Sequence, residues 1–390
     1  MNVDITRRIK IVFFTHYTEL YGANKSLINL IEGLISIYNV EVLLIAPTSG
    51  KIIELALQKG INCDQIAFHN EVYFGKSKWS TFCKGIFKFL CNWFIVIKYA
   101  SKLRDYDIIH SNSSATLIGA YFSYKLRKPH VWHIREFGWE DYKMKYYFGD
   151  RYFKYWANKA DAVIAISKAI YKKRMAAASV RHKNIIFNGV IFENEIESKF
   201  SVEKEIDRLG SKVIFAIVGL ISAEKNQIEA IEAFTLLQQY ENNAELWIVG
   251  AGAEEYIAEL KLYIVKKGIV GKIKFIGFVD NISSIYESIN CLVMCSKHEA
   301  LGRVTIEAMG KGITVIGYNN GGTAEIITDN YNGLLYSDGP QHLFEKMRYL
   351  FDKPSLIKEM RVNGLKTVKE HFTIERCSIA IFNLYNSIKT

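Results

Sequence analysis

The chain has 390 residues, 49% of them apolar and 23% charged, with only four prolines. That length is generous for one core and comfortable for two domains, and the composition excludes a disordered or low-complexity chain. The net charge of +10 is uneven: residues 1–200 hold 29 Lys and Arg against 17 Asp and Glu, and residues 201–390 hold 21 against 23, so a surface for an anionic partner belongs to the first half.

Arg7, Arg8 and Lys10 run straight into the strand-like Ile11–Phe14, which is not the pattern of a secretory leader. Strands are predicted over 10–14, 40–45, 108–110, 130–134, 162–166 and 185–187, with helical segments between them. Leu27, Leu30, Ile31 and Leu34 mark one apolar helix face, and Lys51–Lys59 forms a second helix with Gly60 as its cap. Charged residues 193–211 read as a linker. The rhythm then restarts, with strands over 213–218, 245–249, 273–276, 291–295 and 313–316. Helices are predicted near 225–238, 253–267, 281–289, 303–310, 340–351 and 354–369. A last helix near 373–388 follows a complete second domain and is expected to pack back on the first. Alternation of this kind implies an α/β chain of two doubly wound, Rossmann-like domains facing a central cleft. Their expected limits are 1–192 and 212–370, with 371–390 as the returning helix.

Several strand ends carry ligand-type residues. In the first half these are His16, then Tyr21-Gly22-Ala23-Asn24-Lys25-Ser26 at a helix start. His110-Ser111-Asn112-Ser113-Ser114 and the segment holding His133, Arg135 and Glu136 follow, with His133 and Arg135 on one side by two-residue alternation. Residues 76–104 differ. There Lys76, Lys78, Lys84, Lys88, Lys98, Lys102 and Arg104 interleave with Trp79, Phe82, Phe87, Phe89, Trp93, Phe94 and Tyr99, as in a helix lying on an anionic membrane. A helix packed on the sheet with snorkelling lysines would read the same way. No stretch reaches the roughly 20 uncharged apolar residues that span a bilayer. Six scattered cysteines form no disulfide framework, and a cytoplasmic location is expected, peripheral on the inner face of the membrane. Cys291, Cys295 and His298 do not make a metal set, since both cysteines lie in an apolar strand with no fourth ligand nearby.

In the second half, Gly219-Leu220-Ile221-Ser222-Ala223-Glu224-Lys225-Asn226 links a strand to a helix. It offers backbone N–H groups and the Lys225 charge to phosphate. Gly250-Ala251-Gly252 permits close approach of a ligand, and Gly277-Phe278-Val279 presents a ring. Gly321-Gly322-Thr323-Ala324-Glu325 could offer further donors. Glu299 and Glu307 stand eight positions apart, with Gly302, Arg303 and Val304 between them. On one helix they would lie roughly 80° and about 12 Å apart, too far to meet at one atom. Glu299 is therefore expected in the loop and Glu307 in the helix, one carboxylate for sugar hydroxyls and the other for a ribose diol. Arg303 in the first turn suits phosphate recognition, because a cation there is unfavourable without an anion.

With these motifs in this order, the chain resembles a retaining glycosyltransferase of family four with a GT-B fold. The resemblance covers nearly the whole chain and includes Ile166-Ser167-Lys168, Asn188-Gly189-Val190 and Asn332-Gly333-Leu334-Leu335-Tyr336. It implies a metal-independent hexosyl transfer from a nucleotide diphosphate sugar to a glycan or lipid-linked acceptor, as in cell-surface polysaccharide assembly. No cofactor is expected. Glu307 would hold the ribose and Lys225 the diphosphate. Glu299 would lie beside the donor sugar and His133 near the reacting centre, while Arg303 would also act on the phosphate. The donor site would further include Gly22, Gly219, Asn226, Gly250, Gly252, Phe278, Val279, Gly302 and Val304. The acceptor would meet His16, Tyr21, Asn24, Asn112, Arg135 and Glu136. One departure stands out: similar enzymes carry arginine where this chain has Leu220, and Arg303 is expected to take over part of its role. The rival readings are a nucleotide-sugar epimerase of the same fold and a non-catalytic, membrane-associated nucleotide-sugar-binding protein. A nucleic-acid partner is not expected, since the basic residues follow no recognition motif.

Overall fold

A computed structural model describes residues 8–75, 79–176, 178–196 and 212–389. Most of the expected linker (197–211), with Lys76 and Lys78, lies outside them. The chain divides into two compact units, Met1–Gly189 with Ile374–Thr390, and Val190–Thr373.

Among the described residues the first unit carries nine strands: β1 (Ile9–Phe14), β2 (Val40–Ala46), β3 (Asn62–Gln65), β4 (Val72–Phe74), β5 (Ile108–Ser111), β6 (His130–Ile134), β7 (Met144–Tyr146), β8 (Ala162–Ala165) and β9 (His182–Ile185). Seven form a parallel sheet in the order β3-β2-β1-β5-β6-β8-β9, and β4 pairs antiparallel with β7. Strands in such a sheet are covered on both faces, so they read as apolar runs; Ile11, Val12, Phe13 and Phe14 are all fully buried. The Ile374–Ile388 helix belongs to this unit and lies on the Gly22–Ile37 helix. Their approach needs Gly33, where a Cβ would fall 2.2 Å from Ser378 Oγ. Tyr38 stacks on Phe382 at 3.6 Å, and Tyr385 OH lies 2.7 Å from His110 Nδ1.

The Trp79–Tyr99 helix is split lengthwise. Gly85, Asn92 and Val96 are buried, and Phe89 and Trp93 turn in against Tyr121. Asn92 clamps the chain beside β4: it donates to His69 O and to Glu71 Oε1 and accepts from His69 N. Trp79, Phe87, Leu90, Phe94 and Ile97 form an exposed apolar stripe, with Trp79 80% accessible. The aromatic residues of this segment therefore divide between half-buried and exposed positions.

The second unit is a parallel sheet of β10 (Val213–Val218), β11 (Ala244–Val249), β12 (Ile273–Gly277), β13 (Cys291–Met294), β14 (Thr314–Tyr318) and β15 (Leu334–Tyr336), in the order β12-β11-β10-β13-β14-β15. The helices Gln227–Tyr240, Gly339–Asp352 and Pro354–His371 contribute Phe234, Leu343, Met347 and Met360 to its core. Cys291 and Cys295 lie in that core, and burial raises both thiols. Strands β3, β4, β7 and β15 have no counterpart in the sequence prediction. β9 lies at His182–Ile185 and not over 185–187.

Burial depresses five imidazoles in the first unit: His16 to about 4, His130 to about 3, His110 and His133 well below 6.5, and His69 less strongly. Below about pH 6.5 the unfolded chain takes up protons that the folded state refuses, so each strongly depressed group costs about 1.4 kcal/mol of stability per pH unit of acidification. Burial also raises Glu71 to about 7 and Asp141 to about 6, and these act oppositely, being protonated when folded and ionised when unfolded. The four strongly depressed imidazoles against the two carboxyls predict a net loss of roughly 3 kcal/mol per pH unit between about pH 6 and 5. The urea midpoint, followed by the fluorescence of buried Trp132, should fall between pH 7.5 and 5.5. An unchanged or higher midpoint would contradict the assignment.

Candidate active site

β10 pairs with β11 on one side and β13 on the other. The connection after β10 leaves toward one edge of the sheet, while β13 belongs to the half running toward the other edge. Strand order reverses here, and in open α/β sheets ligands bind at the carboxyl ends beside such a reversal.

From β10, Gly219 turns the chain at φ +136°, with open space where a side chain would stand. The loop passes through the Ala223–Lys225 turn and left-handed Asn226 (φ +54°) into the Gln227–Tyr240 helix. Gln227 Nε2 donates to Leu220 O at 3.0 Å, and the Asn226 amide donates to Glu229. From β13, the chain reaches Glu299 and then Gly302 (φ +94°), which opens the Arg303–Gly310 helix. Glu299 thus lies in the loop and Glu307 in the helix. Lys225 Nζ meets Glu299 Oε2 at 2.6 Å, across the strand-order reversal.

The glycine pairs have a tighter role than the sequence suggested. A Cβ on Gly250 would fall 1.8 Å from Gly219 O, and one on Gly252 2.2 Å from Ile221 O. The room these glycines make is taken by the neighbouring loop, not left for a ligand. Gly322 N donates to Glu299 O at 2.7 Å, and a Cβ on Gly321 would lie 2.5 Å from that oxygen. Gly321 and Gly322 therefore hold the Glu299 loop. Beyond Gly277 (φ +80°), Phe278 is 67% exposed, and Val279 and Val304 are half-buried.

Arg303, expected at a phosphate, is turned to protein partners. Its Nε donates to Glu307 Oε1 at 2.7 Å and its Nη2 to Val190 O at 3.2 Å. The other Glu307 oxygen accepts from Tyr286 OH at 3.1 Å. Tyr286 carried no signal in the sequence, because its role depends on the fold bringing the short Ser283–Tyr286 helix beside Glu307.

In the first unit three of the expected site residues are fully buried. His133 is fully buried within β6, 5.5 Å from the His110 ring, because a central parallel strand is covered on both faces. Asn24 is buried and engaged by its own loop, accepting from Thr15 Oγ1 and donating to the carbonyls of Tyr17 (3.0 Å) and Glu19 (2.7 Å). Asn112 is buried too, and accepts from Arg135 Nε at 2.6 Å. Arg135 and Glu136 stand just past β6 but are also turned inward. Arg135 donates to Asn188 and lies 3.3 Å from His133 Nδ1, and Glu136 accepts from Ser113 Oγ and Ser114 N. The alternation that put His133 and Arg135 on one side is seen in that contact. His16 is half-buried with an unpartnered Nδ1, whereas Tyr21 and Gly22 are exposed. Arg174, absent from the sequence reading, donates to Ser114 Oγ and Tyr146 OH beside Glu136.

The family model for glycosyl transferases group 1 matches residues 199–367, and that for Glycosyltransferase Family 4 matches residues 20–192. The chain belongs to the group 1 glycosyltransferases. An uncharacterized glycosyltransferase of Methanocaldococcus jannaschii is 27% identical to it over 77% of this chain and 81% of the relative. A Campylobacter jejuni alpha-1,4-N-acetyl-D-galactosaminyltransferase, named for a PP-undecaprenol glycan, is 28% identical over 58% of this chain and 60% of its own. Among solved structures, HepE of Anabaena, crystallised with UDP, matches with a TM-score of 0.81 at 23% identity, covering 97% of this chain and 100% of HepE. Sucrose-phosphate synthase of Thermosynechococcus elongatus gives 0.72 at 16% identity, covering 98% and 99%. This glycosyltransferase shares their GT-B fold.

In this glycosyltransferase the strand-end loops are held by backbone contacts, and their side chains stay open to exchange. Lys225 and Glu299 are 33% and 17% accessible, so their ion pair is worth only about 1 kcal/mol. The loop contacts are stiffer. Gly250→Ala should cost roughly 3 kcal/mol or more, through overpacking and a disallowed φ. Gly219→Ala, with space around it, should cost about 1–2 kcal/mol from backbone strain alone. Thermal midpoints of the two variants test this, and equal shifts would refute the loop contact as the cause.

Proposed function

We propose that this glycosyltransferase moves a sugar from a nucleotide diphosphate sugar to a hydroxyl of a glycan or lipid-linked acceptor, with retention at the anomeric carbon and without a metal. The carrying observation is the 2.6 Å pair of Lys225 and Glu299 at the strand-order reversal, with Glu307 in the next helix. A cation for a diphosphate, a carboxylate for sugar hydroxyls and a second carboxylate for a diol match the parts of such a donor. Exposed Phe278 offers a ring to its base. HepE, of the same fold, was crystallised with UDP-glucose, and the Campylobacter relative is named for a lipid-linked glycan, which supports these substrate classes.

Lys225 lies near a weakly held partner, so an incoming diphosphate can take its charge at small cost. As the anomeric bond breaks, charge gathers on the leaving phosphate, where Lys225 stabilises it; the Gly219 and Ile221 N–H groups are taken by Val249 O and Ala251 O. The acceptor attacks from the same face, and its proton passes to the leaving phosphate. Glu299 holds the sugar hydroxyls meanwhile.

The location we propose is cytoplasmic and peripheral to the membrane. Between Glu71 and Asp105 there is no carboxylate, and Lys84, Lys88 and Lys98 share the Trp79–Tyr99 helix with the exposed apolar stripe. The helix is long and apolar enough to cross a membrane. Its buried Gly85, Asn92 and Val96 favour lying on the surface instead.

A panel of nucleotide sugars with a membrane lipid extract should give acceptor-dependent nucleoside diphosphate release, and Lys225→Ala should lower kcat/KM about 100- to 1,000-fold. Release from no donor would sink the reading, and interconversion of donors without acceptor would favour an epimerase. For the membrane, Lys84→Glu with Lys98→Glu should weaken binding to anionic vesicles by about 10-fold or more, at roughly 1 kcal/mol per charge. Equal binding of wild type to anionic and zwitterionic vesicles would remove the anionic surface as partner.

A further inference from the structure

We infer that Tyr286 is a positioning residue for the donor's ribose, and that Arg303 works with it on Glu307 and not on the phosphate. This rests on the nucleotide-sugar reading above. A carboxylate offers about four acceptor positions, two on each oxygen. In Glu307 one position on each oxygen is filled: Oε1 accepts from Arg303 Nε at 2.7 Å, and Oε2 from Tyr286 OH at 3.1 Å. One position on each oxygen remains. Two acceptor sites side by side match the two neighbouring hydroxyls of a ribose.

The two donors fix the carboxylate from different directions. Arg303 sits one turn before Glu307 on the same helix and is itself tied to Val190 O at 3.2 Å. Tyr286 comes from a separate element, the Ser283–Tyr286 helix before β13, and is buried to 2% exposure. Its packing sets where the hydroxyl can be, and the hydroxyl sets the rotation of the carboxylate plane. Burial and the adjacent Glu307 charge push the Tyr286 phenol well above its ordinary range, so the hydroxyl remains a donor at every working pH. The side chains of Glu307 and Arg303 are 19% and 18% accessible, which leaves the carboxylate one open edge. A free carboxylate rotor would lose conformational freedom on meeting a diol, whereas a clamped one has already lost it.

The test compares binding of a nucleoside diphosphate with its 2′,3′-dideoxy analogue by calorimetry, using the base that the donor panel selects. Wild type should favour the ribose form by about 100-fold. Tyr286→Phe should reduce that preference to about 10-fold or less while leaving dideoxy affinity within about twofold. Arg303→Lys should act the same way, whereas an arginine acting on the phosphate would weaken both ligands together. Glu307→Gln should remove most of the preference and make a further Tyr286→Phe change silent. An unchanged preference in Tyr286→Phe, or an equal loss for both ligands, overturns the inference and leaves the donor reading standing. A wild type that ignores the ribose hydroxyls overturns the Glu307 assignment and this inference with it.

Discussion

The second unit depends on one constraint, the parallel pairing of β10 with β11 on one side and β13 on the other. Parallel pairing sends every strand's carboxyl end to the same side of the sheet. The reversal of strand order then leaves a gap at those ends that neither departing connection covers. One loop brings Lys225 to this gap and the other brings Glu299, although 74 residues separate them in sequence. A residue's value at this site comes from which strand end it follows, which is why short loop motifs carry so much of the chemistry.

The two units solve the same positioning problem by different means. In the second, backbone meets backbone: Gly250 lies on Gly219, Gly252 on Ile221, and Gly321 and Gly322 on the Glu299 loop. At the strand ends Lys225 and Glu299 stay partly accessible and pair with each other. In the first, polar side chains fill the corresponding space. His133, Arg135, Asn112, Asn188 and Asn24 hydrogen-bond one another or nearby loops. Such buried networks are rigid when satisfied, and each member is costly to remove.

Much of this was legible in the chain. The bounds of β6, β10 and the Arg303–Gly310 helix are those read from apolar runs and flanking glycines. β3 escaped because Asn62-Cys63-Asp64-Gln65 is a polar edge strand without an apolar run, and β15 because it has three residues. At the site, strand–loop–helix order located Lys225, Glu299 and Glu307. It could not show that the glycines serve loop contacts, since a close approach to a ligand and one to a neighbouring loop make the same demand on sequence. The burial of His133 was not legible for a related reason: alternation gives the side of a strand, but both sides of a central parallel strand are covered. Tyr286 was invisible, because nothing local distinguishes it from any other buried tyrosine.

The first unit also has a history that its finished form conceals. Cys377, Ile381, Leu384 and Tyr385 belong to the same core cluster as Ile11, Leu27, Leu34 and Leu44. They are translated only after the whole of the second unit. Until then Gly33 and the surrounding face of the Gly22–Ile37 helix lack their cover, and His110 lacks the Tyr385 hydroxyl. Domains of growing chains fold in the order they emerge, but here the unit that emerges first is the last to be completed. On the ribosome, the helix face around Gly33 and Tyr38 must wait until residues 374–388 emerge. During that wait it is exposed to chaperones and to misassembly, a vulnerability that belongs to the nascent protein alone.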